Sequence, residues 1–94
     1  MILQIYALKD KDLGCFNNPY YDDTLADNSA EQMRRFLSTA DLEKVSQLRH
    51  KVLYHLGSLD DETGVIQHET VPVLLFDCDD VLDKRFIKDA SENN

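Results

Sequence analysis

Two sets of side chains in this sequence have the chemistry to hold a charged partner. The first combines aromatic rings, on which nucleic-acid bases can stack, with cations that contact phosphate. Its members are Tyr20, Tyr21, Arg34, Arg35, Arg49, Lys51 and Tyr54, with Tyr6 as a further candidate ring. The second set is acidic and would attract a basic surface. Its members are Asp22, Asp23, Asp60, Asp61, Glu62, Asp77, Asp79, Asp80 and Asp83. Both sets also have a plainer interpretation as solvated turns and helix faces.

Composition limits the class of partner. The 94 residues carry 18 acidic and 10 basic side chains, a formal net charge of −8. Because phosphate repels negative charge, we do not expect a general nucleic-acid-coating protein, although a local basic patch stays compatible with this charge. Apolar residues make up 43% of the chain and indicate one globular domain with a modest core. Cys15 and Cys78 are expected to be reduced thiols, with a disulfide between them as the alternative.

No segment has the pattern of a catalytic or metal centre. The three histidines are not at the spacing of a zinc motif, and no nucleophile motif or phosphate-binding glycine loop is present. The group Asp77, Asp79 and Asp80 has the oxygen ligands that Mg²⁺ prefers, but helix N-termini collect carboxylates for electrostatic reasons alone. We therefore expect neither an enzyme nor a cofactor nor a metal site.

The strands that must position these residues are marked by apolar runs. Ile2–Leu8 is apolar on both faces and predicts a central strand, and Cys15-Phe16 is expected to begin its hairpin partner. Residues 17–27 read as a loop, because Pro19 disfavours regular structure. Within that loop, Tyr20 and Tyr21 either form a binding surface together or place one ring on the core and one in solvent.

A hairpin organises the second half of the chain. Residues 52–59 alternate as a strand does, Asp60–Thr63 form a polar turn, and Gly64 suits the positive φ of such a turn. Val65-Ile66 begins the return strand. The apolar run Val71–Phe76 follows, and Pro72 predicts that it lies at a strand start or a sheet edge.

A main helix and a short C-terminal helix complete the predicted fold. The main helix should begin near Asn28-Ser29, with a core-facing stripe of Ala30, Met33, Phe36 and Leu37. Residues 38–51 form either a second short helix capped by Thr39 or Asp41 or an irregular connection. A last helix capped by Asp79 or Asp80 follows. The sequence thus predicts an α+β fold: a small, mainly antiparallel sheet of about four strands, one main helix packed on one face, and a short C-terminal helix. The domain should span residues 1–88, with a frayed tail at 89–94.

The order of these segments resembles the nonstructural protein family of gokushovirus-type microviruses, which are small single-stranded DNA phages. The matching segments are the strand Ile2–Leu8, the turn Lys9–Asp12, Gly14 with Phe16 and Pro19, the helix Ala30–Leu37, the sequence LYHLGSLDDETG at 53–64, and Val71–Phe76. The segment at 53–64 is the most specific, although Leu59 stands where the family pattern has phenylalanine. The resemblance implies a non-virion protein of the host bacterial cytoplasm that assists viral DNA replication in the switch to single-stranded genome synthesis.

Three functions therefore stay open. The first is a replication accessory protein that contacts single-stranded DNA or the viral replication complex. The second is an acidic, nucleic-acid-mimicking inhibitor or adaptor that binds a basic host protein, such as a nuclease or a defence complex. The third is self-association through an exposed strand edge or hairpin, against which Pro72 argues in part. No apolar run is long enough to predict a membrane partner.

Overall fold

A single antiparallel sheet of four strands, in the order β2-β1-β3-β4, forms the frame of the protein. The computed structural model describes residues 1–92, except for the side chains of residues 26–27 and 87–92. The elements are β1 (Ile2–Asp10), β2 (Cys15–Asp22), α1 (Ala26–Thr39), α2 (Leu42–Leu48), β3 (Lys51–Asp60), β4 (Ile66–Asp77) and α3 (Cys78–Glu92). The predicted α+β class is confirmed. The predicted tail at 89–94 falls outside the fully described residues and stays a prediction.

Strand β1 is central, as its two apolar faces predict, and pairs with β2 on one side and β3 on the other. The prediction of a loop at residues 17–27 was wrong for its first part, because β2 continues to Asp22. The strand crosses Pro19 by a shift of register, with Asn18 at a φ of 50°. An edge strand tolerates proline because no neighbour needs its missing N–H.

The β3–β4 hairpin has the predicted turn, with Gly64 at a φ of 75°. The two apolar segments expected after that turn form one continuous strand, β4, and Pro72 lies on the sheet edge as predicted. Gly57 allows β4 to approach β3 closely, since a Cβ at this position would be 2.8 Å from the His68 Cα. Gly57, the first of the two glycines in the most specific sequence segment, is therefore required by packing.

The helices begin close to the predicted residues. Helix α1 begins at Ala26, two residues before the predicted start, and α2 follows the predicted cap, with the Asp41 carboxylate accepting a hydrogen bond from the Lys44 N–H at 2.9 Å. The predicted cap of the last helix, Asp79 or Asp80, was wrong, because α3 begins at Cys78 directly after β4 and both residues lie in its first turn. Asp77 is the acceptor instead, and the Asp79 N–H donates to its carboxylate. A side-chain acceptor at a helix start satisfies an amide that has no partner within the helix.

The helices pack on one face of the sheet and bury a single core, which contains Tyr6, Leu8, Leu37, Leu53, Phe76 and Leu82. The Arg85 guanidinium connects α3 to α1 by donating to the carbonyls of Leu37 and Ala40, both at 2.9 Å. Phe36 was predicted to be a core residue, and this was wrong. Its side chain is 46% exposed and lines an open groove of about 400 Å³ beside α2, because Leu37 occupies the inward position of α1.

Candidate binding surface

Within residues 1–92, the helices all lie on one side of the sheet and no further element lies on the opposite face. The strand registers determine which side chains that face carries. Alternation along β1 directs Ile5 and Lys9 to this face. The residue paired with Lys9 is Phe16, and the residue paired with Ile5 is Tyr21. Tyr54 of β3 lies on the same face, opposite Ala7. We call this surface the open face and define it by Lys9, Phe16, Tyr21 and Tyr54.

Aromatic rings dominate the open face. Phe16 is 41% exposed and Tyr21 is 59% exposed, while Tyr54 is partly buried. The rings of Phe16 and Tyr54 meet edge to face, with their centroids 5.1 Å apart and an interplanar angle of 75°. The Lys9 ammonium lies 5.6 Å from the centroid of the Phe16 ring. The arrangement offers flat, accessible rings next to a cation, which is the combination that single-stranded nucleic acid requires.

The open face also has little negative charge, although the chain is acidic. Among the described side chains, Asp77 is the one acidic residue that the strand pairing places on the open face. It lies opposite Val52, at one end of the sheet. The Lys11 ammonium lies 2.6 Å from the Asp77 carboxylate and neutralises it. A phosphate that approaches the centre of this face therefore meets Lys9 before it meets an unpaired carboxylate.

The two adjacent tyrosines of β2 point to opposite faces, as the second of the two sequence interpretations predicts. Tyr20 packs against Tyr6 on the helix side, with ring centroids 5.4 Å apart. Burial raises the pKa of both phenols. Tyr21 is exposed on the open face. Of the predicted stacking residues, Tyr21 and Tyr54 therefore share a surface, whereas Tyr6 and Tyr20 belong to the core and its edge.

The predicted arginine pair lies on the exposed side of α1, away from the open face. The Glu31 carboxylate binds both side chains, at 2.9 Å from Arg34 and 3.3 Å from Arg35. Arg34 also lies 5.7 Å from the centroid of the Phe76 ring. These contacts match the plainer interpretation of a solvated helix face, in which neighbouring turns pair opposite charges.

The other two predicted cations lie at the end of β3 where α3 begins. Arg49 binds the Asp83 carboxylate at 2.7 Å, and Lys51 binds the Asp10 carboxylate at 2.6 Å. The Lys51 hydrogen bond lowers the pKa of Asp10. Each cation has an internal carboxylate partner, so the structure does not gather the four predicted cations into one basic patch.

The predicted acidic set is also divided. Asp60, Asp61 and Glu62 form the β3–β4 turn, where Asp61 binds the N-terminal ammonium at 2.8 Å. The ten residues of β3 place this turn about 30 Å from the carboxylates at the start of α3. Those at the start of α3 are Asp77, Asp79, Asp80 and Asp83, and Asp22 and Asp23 lie at the end of β2.

Asp79 shows how far the acids at the α3 start are neutralised. Burial alone would raise the pKa of this carboxyl, but the His50 backbone N–H at 2.9 Å and the Lys11 ammonium at 3.1 Å outweigh it and lower the pKa. Arg49 adds a further cation at 3.8 Å. This carboxylate is occupied by contacts within the chain and is poorly placed to bind a partner.

Sequence reasoning missed two residues of the open face, Lys9 and Phe16. Lys9 was assigned to the turn after a strand that ended at Leu8, whereas β1 extends to Asp10. Phe16 was seen only as a strand start. The two-residue alternation of β1, continued from Ile5, places Lys9 on the same face as Ile5. Pairing β1 with β2 across the turn then brings Phe16 next to Lys9 on that face.

These features define a small open-faced α+β protein, with helices on one sheet face and an aromatic surface on the other. The chain belongs to the family described as Phage ORF5 protein, whose family model matches residues 3–81, from β1 into α3. The predicted phage origin is thereby confirmed. Comparisons with curated proteins and with solved structures found no match. Among the described residues, no helix has the length and apolar character needed to cross a membrane.

Proposed function

We propose that this phage protein assists viral DNA replication without catalysing a reaction, by holding a short stretch of single-stranded DNA on the open face. The observation that carries the proposal is the group of three aromatic rings and one lysine on the uncovered side of a four-stranded sheet. Every base has a π-face, so such a surface binds single strands with little dependence on sequence.

The rings are spaced for more than one base. Tyr21 pairs with Ile5 and Phe16 pairs with Lys9, so four residues of β1 separate them, about 13 Å along the strand. In this arrangement one base stacks on Tyr21 and another on the Phe16–Tyr54 pair. The Lys9 ammonium is close enough to Phe16 to contact the phosphate of the base stacked there.

The charge of the protein determines the strength of this contact. One lysine opposes a net charge of −8, so binding should be weak and should depend on stacking more than on phosphate contacts. Weak, reversible contact suits a protein that acts briefly on newly displaced strands. It does not suit a protein that covers a genome.

The finer placement of the protein rests on the segment resemblance described above. We propose a gokushovirus-type microvirus as the source and the switch from duplex to single-stranded genome synthesis as the stage of action, in the host bacterial cytoplasm. The match of the phage family over nearly all of β1 through β4 supports this proposal at the level of phage origin.

The acidic inhibitor is the weaker proposal, because a mimic of nucleic acid needs carboxylates in one regular array. Here the acids lie in separate groups, and three of the four at the α3 start, Asp77, Asp79 and Asp83, are paired with Lys11 or Arg49.

The test is fluorescence anisotropy of a labelled oligothymidylate titrated with the protein at low salt. We expect binding by the wild-type protein and its loss in a Phe16→Ala, Tyr21→Ala double variant. Absence of binding by the wild-type protein, together with capture of a basic protein, would overturn this function in favour of the acidic inhibitor.

A further inference from the structure

We propose that the groove beside α1 and α2 binds an amphipathic α-helix of another protein, one whose apolar stripe has a basic residue on one flank and an acidic residue on the other. The groove has a volume of about 400 Å³, and we call it the helix groove, defined by Asp22, Met33, Phe36, Lys44 and Leu48. It lies on the helix side of the sheet, away from the open face. This inference therefore does not depend on the proposed contact with DNA.

The first argument is the geometry of the two helices. The residues that α1 contributes to the groove follow the i, i+3, i+4, i+7 spacing of a single helix face. They are Ser29, Gln32, Met33 and Phe36. The residues that α2 contributes follow the i, i+3, i+4 part of the same spacing, and they are Lys44, Gln47 and Leu48. Two helix faces that line one groove form the kind of surface on which an amphipathic helix binds.

The second argument is the apolar surface inside the helix groove. Phe36 is 46% exposed, so none of the described elements covers its ring. Tyr20, Met33 and Leu48 line the same groove and are partly buried. A partner that covers these four side chains removes apolar area from water, which favours binding. The groove volume lies in the range of protein ligand pockets and admits about two or three apolar side chains of a partner.

The third argument is a pair of opposite charges in the helix groove. Asp22 of β2 is ionised, because the Thr24 N–H donates to its carboxylate at 2.9 Å and lowers its pKa. Lys44 of α2 is exposed. Among the described side chains, neither has an ion-pair partner, whereas Arg34 and Arg49 are bound by carboxylates. Two unpaired charges on different elements are complementary to a helix that carries a cation and an anion on the two flanks of its stripe.

The same charges disfavour other occupants. A nucleic acid would bring phosphate to the Asp22 carboxylate and would find one cation in the groove. A second copy of this chain is repelled by the net charge of −8 on each molecule. A partner with net positive charge is attracted instead. We expect its basic residue to lie next to Asp22 and its acidic residue next to Lys44.

The test is a peptide titration followed by amide proton–nitrogen NMR correlation spectra. The probe is an alanine-based peptide of about 18 residues, which is long enough to form a helix in water. It carries leucines at i, i+3 and i+7, arginines on one flank of this stripe and glutamates on the other. We expect the peptide to shift the amide signals of the groove residues on α1 and α2, and to leave those of Phe16 and Tyr21 on the open face unchanged.

Phe36→Ala should weaken binding of this peptide by about fivefold or more, because it removes apolar contact area from the groove. Leu42→Ala is the matched control, since Leu42 lies on α2 and is 73% exposed but does not line the groove. It should bind the peptide as the wild type does. Circular dichroism checks the fold of both variants.

The charge pattern is tested by a double-variant cycle that leaves the packing unchanged. Asp22→Asn retains an oxygen that can accept from the Thr24 N–H, so the end of β2 should keep its conformation. Replacing arginine by citrulline in the peptide should weaken binding to the wild type by about two- to fivefold and should have no effect on binding to Asp22→Asn. Lys44→Gln, combined with a peptide that has glutamine in place of glutamate, gives the same comparison for the other charge.

Absence of shifts in the groove residues at millimolar peptide would overturn the proposal. So would equal weakening by Phe36→Ala and Leu42→Ala, or an effect of citrulline that persists in Asp22→Asn. Groove shifts that appear when the protein alone is concentrated would assign the groove to a second copy, and groove shifts caused by oligothymidylate would assign it to nucleic acid. Failure of oligothymidylate to bind the open face is a separate result, which contradicts only the proposed function.

Discussion

Removing one exposed ring from the open face should weaken the binding of single-stranded DNA without unfolding the protein. Phe16 and Tyr21 are both exposed, so neither Phe16→Ala nor Tyr21→Ala removes a core residue. Stacking of one base on an aromatic ring contributes about 1–3 kcal/mol. Each variant should therefore raise the dissociation constant by roughly 5- to 150-fold, since 1.4 kcal/mol corresponds to tenfold.

The two losses should add in the double variant. The two β2 residues pair with β1 positions four residues apart, about 13 Å along the strand, and this distance is beyond the range in which substitutions usually couple. A combined loss of roughly 2–6 kcal/mol would abolish measurable binding in a system that starts weak. Fluorescence anisotropy with a short oligonucleotide is the suitable assay, because a short strand carries few phosphates for the acidic protein to repel. The titration should reach a high protein concentration, since binding is expected to be weak.

Phe36→Ala is the matched control, because Phe36 is 46% exposed but lies on the helix side. It should bind as the wild type does. Lys9→Ala should reduce the salt dependence, with the slope of log K against log salt changing by about 0.7 for one lost phosphate contact. Equal effects of Phe36→Ala and Phe16→Ala, or wild-type affinity in the double variant, would refute the stacking argument.

Three further predictions concern the fold. Leu37→Ala should lower the free energy of unfolding by about 2–5 kcal/mol in a urea titration, because Leu37 is buried. Phe36→Ala should change it by less than about 1 kcal/mol, because Phe36 is exposed. Equal losses would contradict the assignment of Leu37 to the inward position of α1. Gly57→Ala should lower the free energy of unfolding by about 1–3 kcal/mol, because the added Cβ would collide with the β4 backbone. An unchanged urea midpoint would show instead that β3 and β4 can move apart at this position. A thiol reagent at about pH 8 should modify the exposed Cys15 quickly and the buried Cys78 only after unfolding. The reason is that burial raises the pKa of the Cys78 thiol to about 12. Rapid reaction of both thiols would be inconsistent with this burial.

Local patterns predicted most of the elements. The two apolar faces of Ile2–Leu8 predicted a central strand, and Gly64 after a polar run predicted the hairpin turn. These predictions succeeded because strand periodicity and turn conformation depend on neighbours close in sequence. The prediction of a loop at residues 17–27 was wrong for its first part, because an edge strand accepts proline. The order of the strands in the sheet decides that β2 is an edge strand, and the local sequence does not contain that order.

The candidate surface depended on information that no single segment contains. The predicted aromatic and cationic set treated residues by type, but Tyr20 and Tyr21 lie on opposite faces, and Arg34, Arg49 and Lys51 are paired with carboxylates. Charge pairing between residues far apart in sequence is a property of the packed fold, so composition cannot predict it.

The sequence by itself determined the α+β class, the acidic character, the central strand and the phage resemblance, since each follows from residue types in a short window or from their order. The tertiary structure alone decided which rings share the open face, which cations are neutralised and which strand edge is free. The physical reason is strand register: a shift of one residue moves every side chain to the other face, and register is established only when strands pair. Lys9 and Phe16 became neighbours in that way.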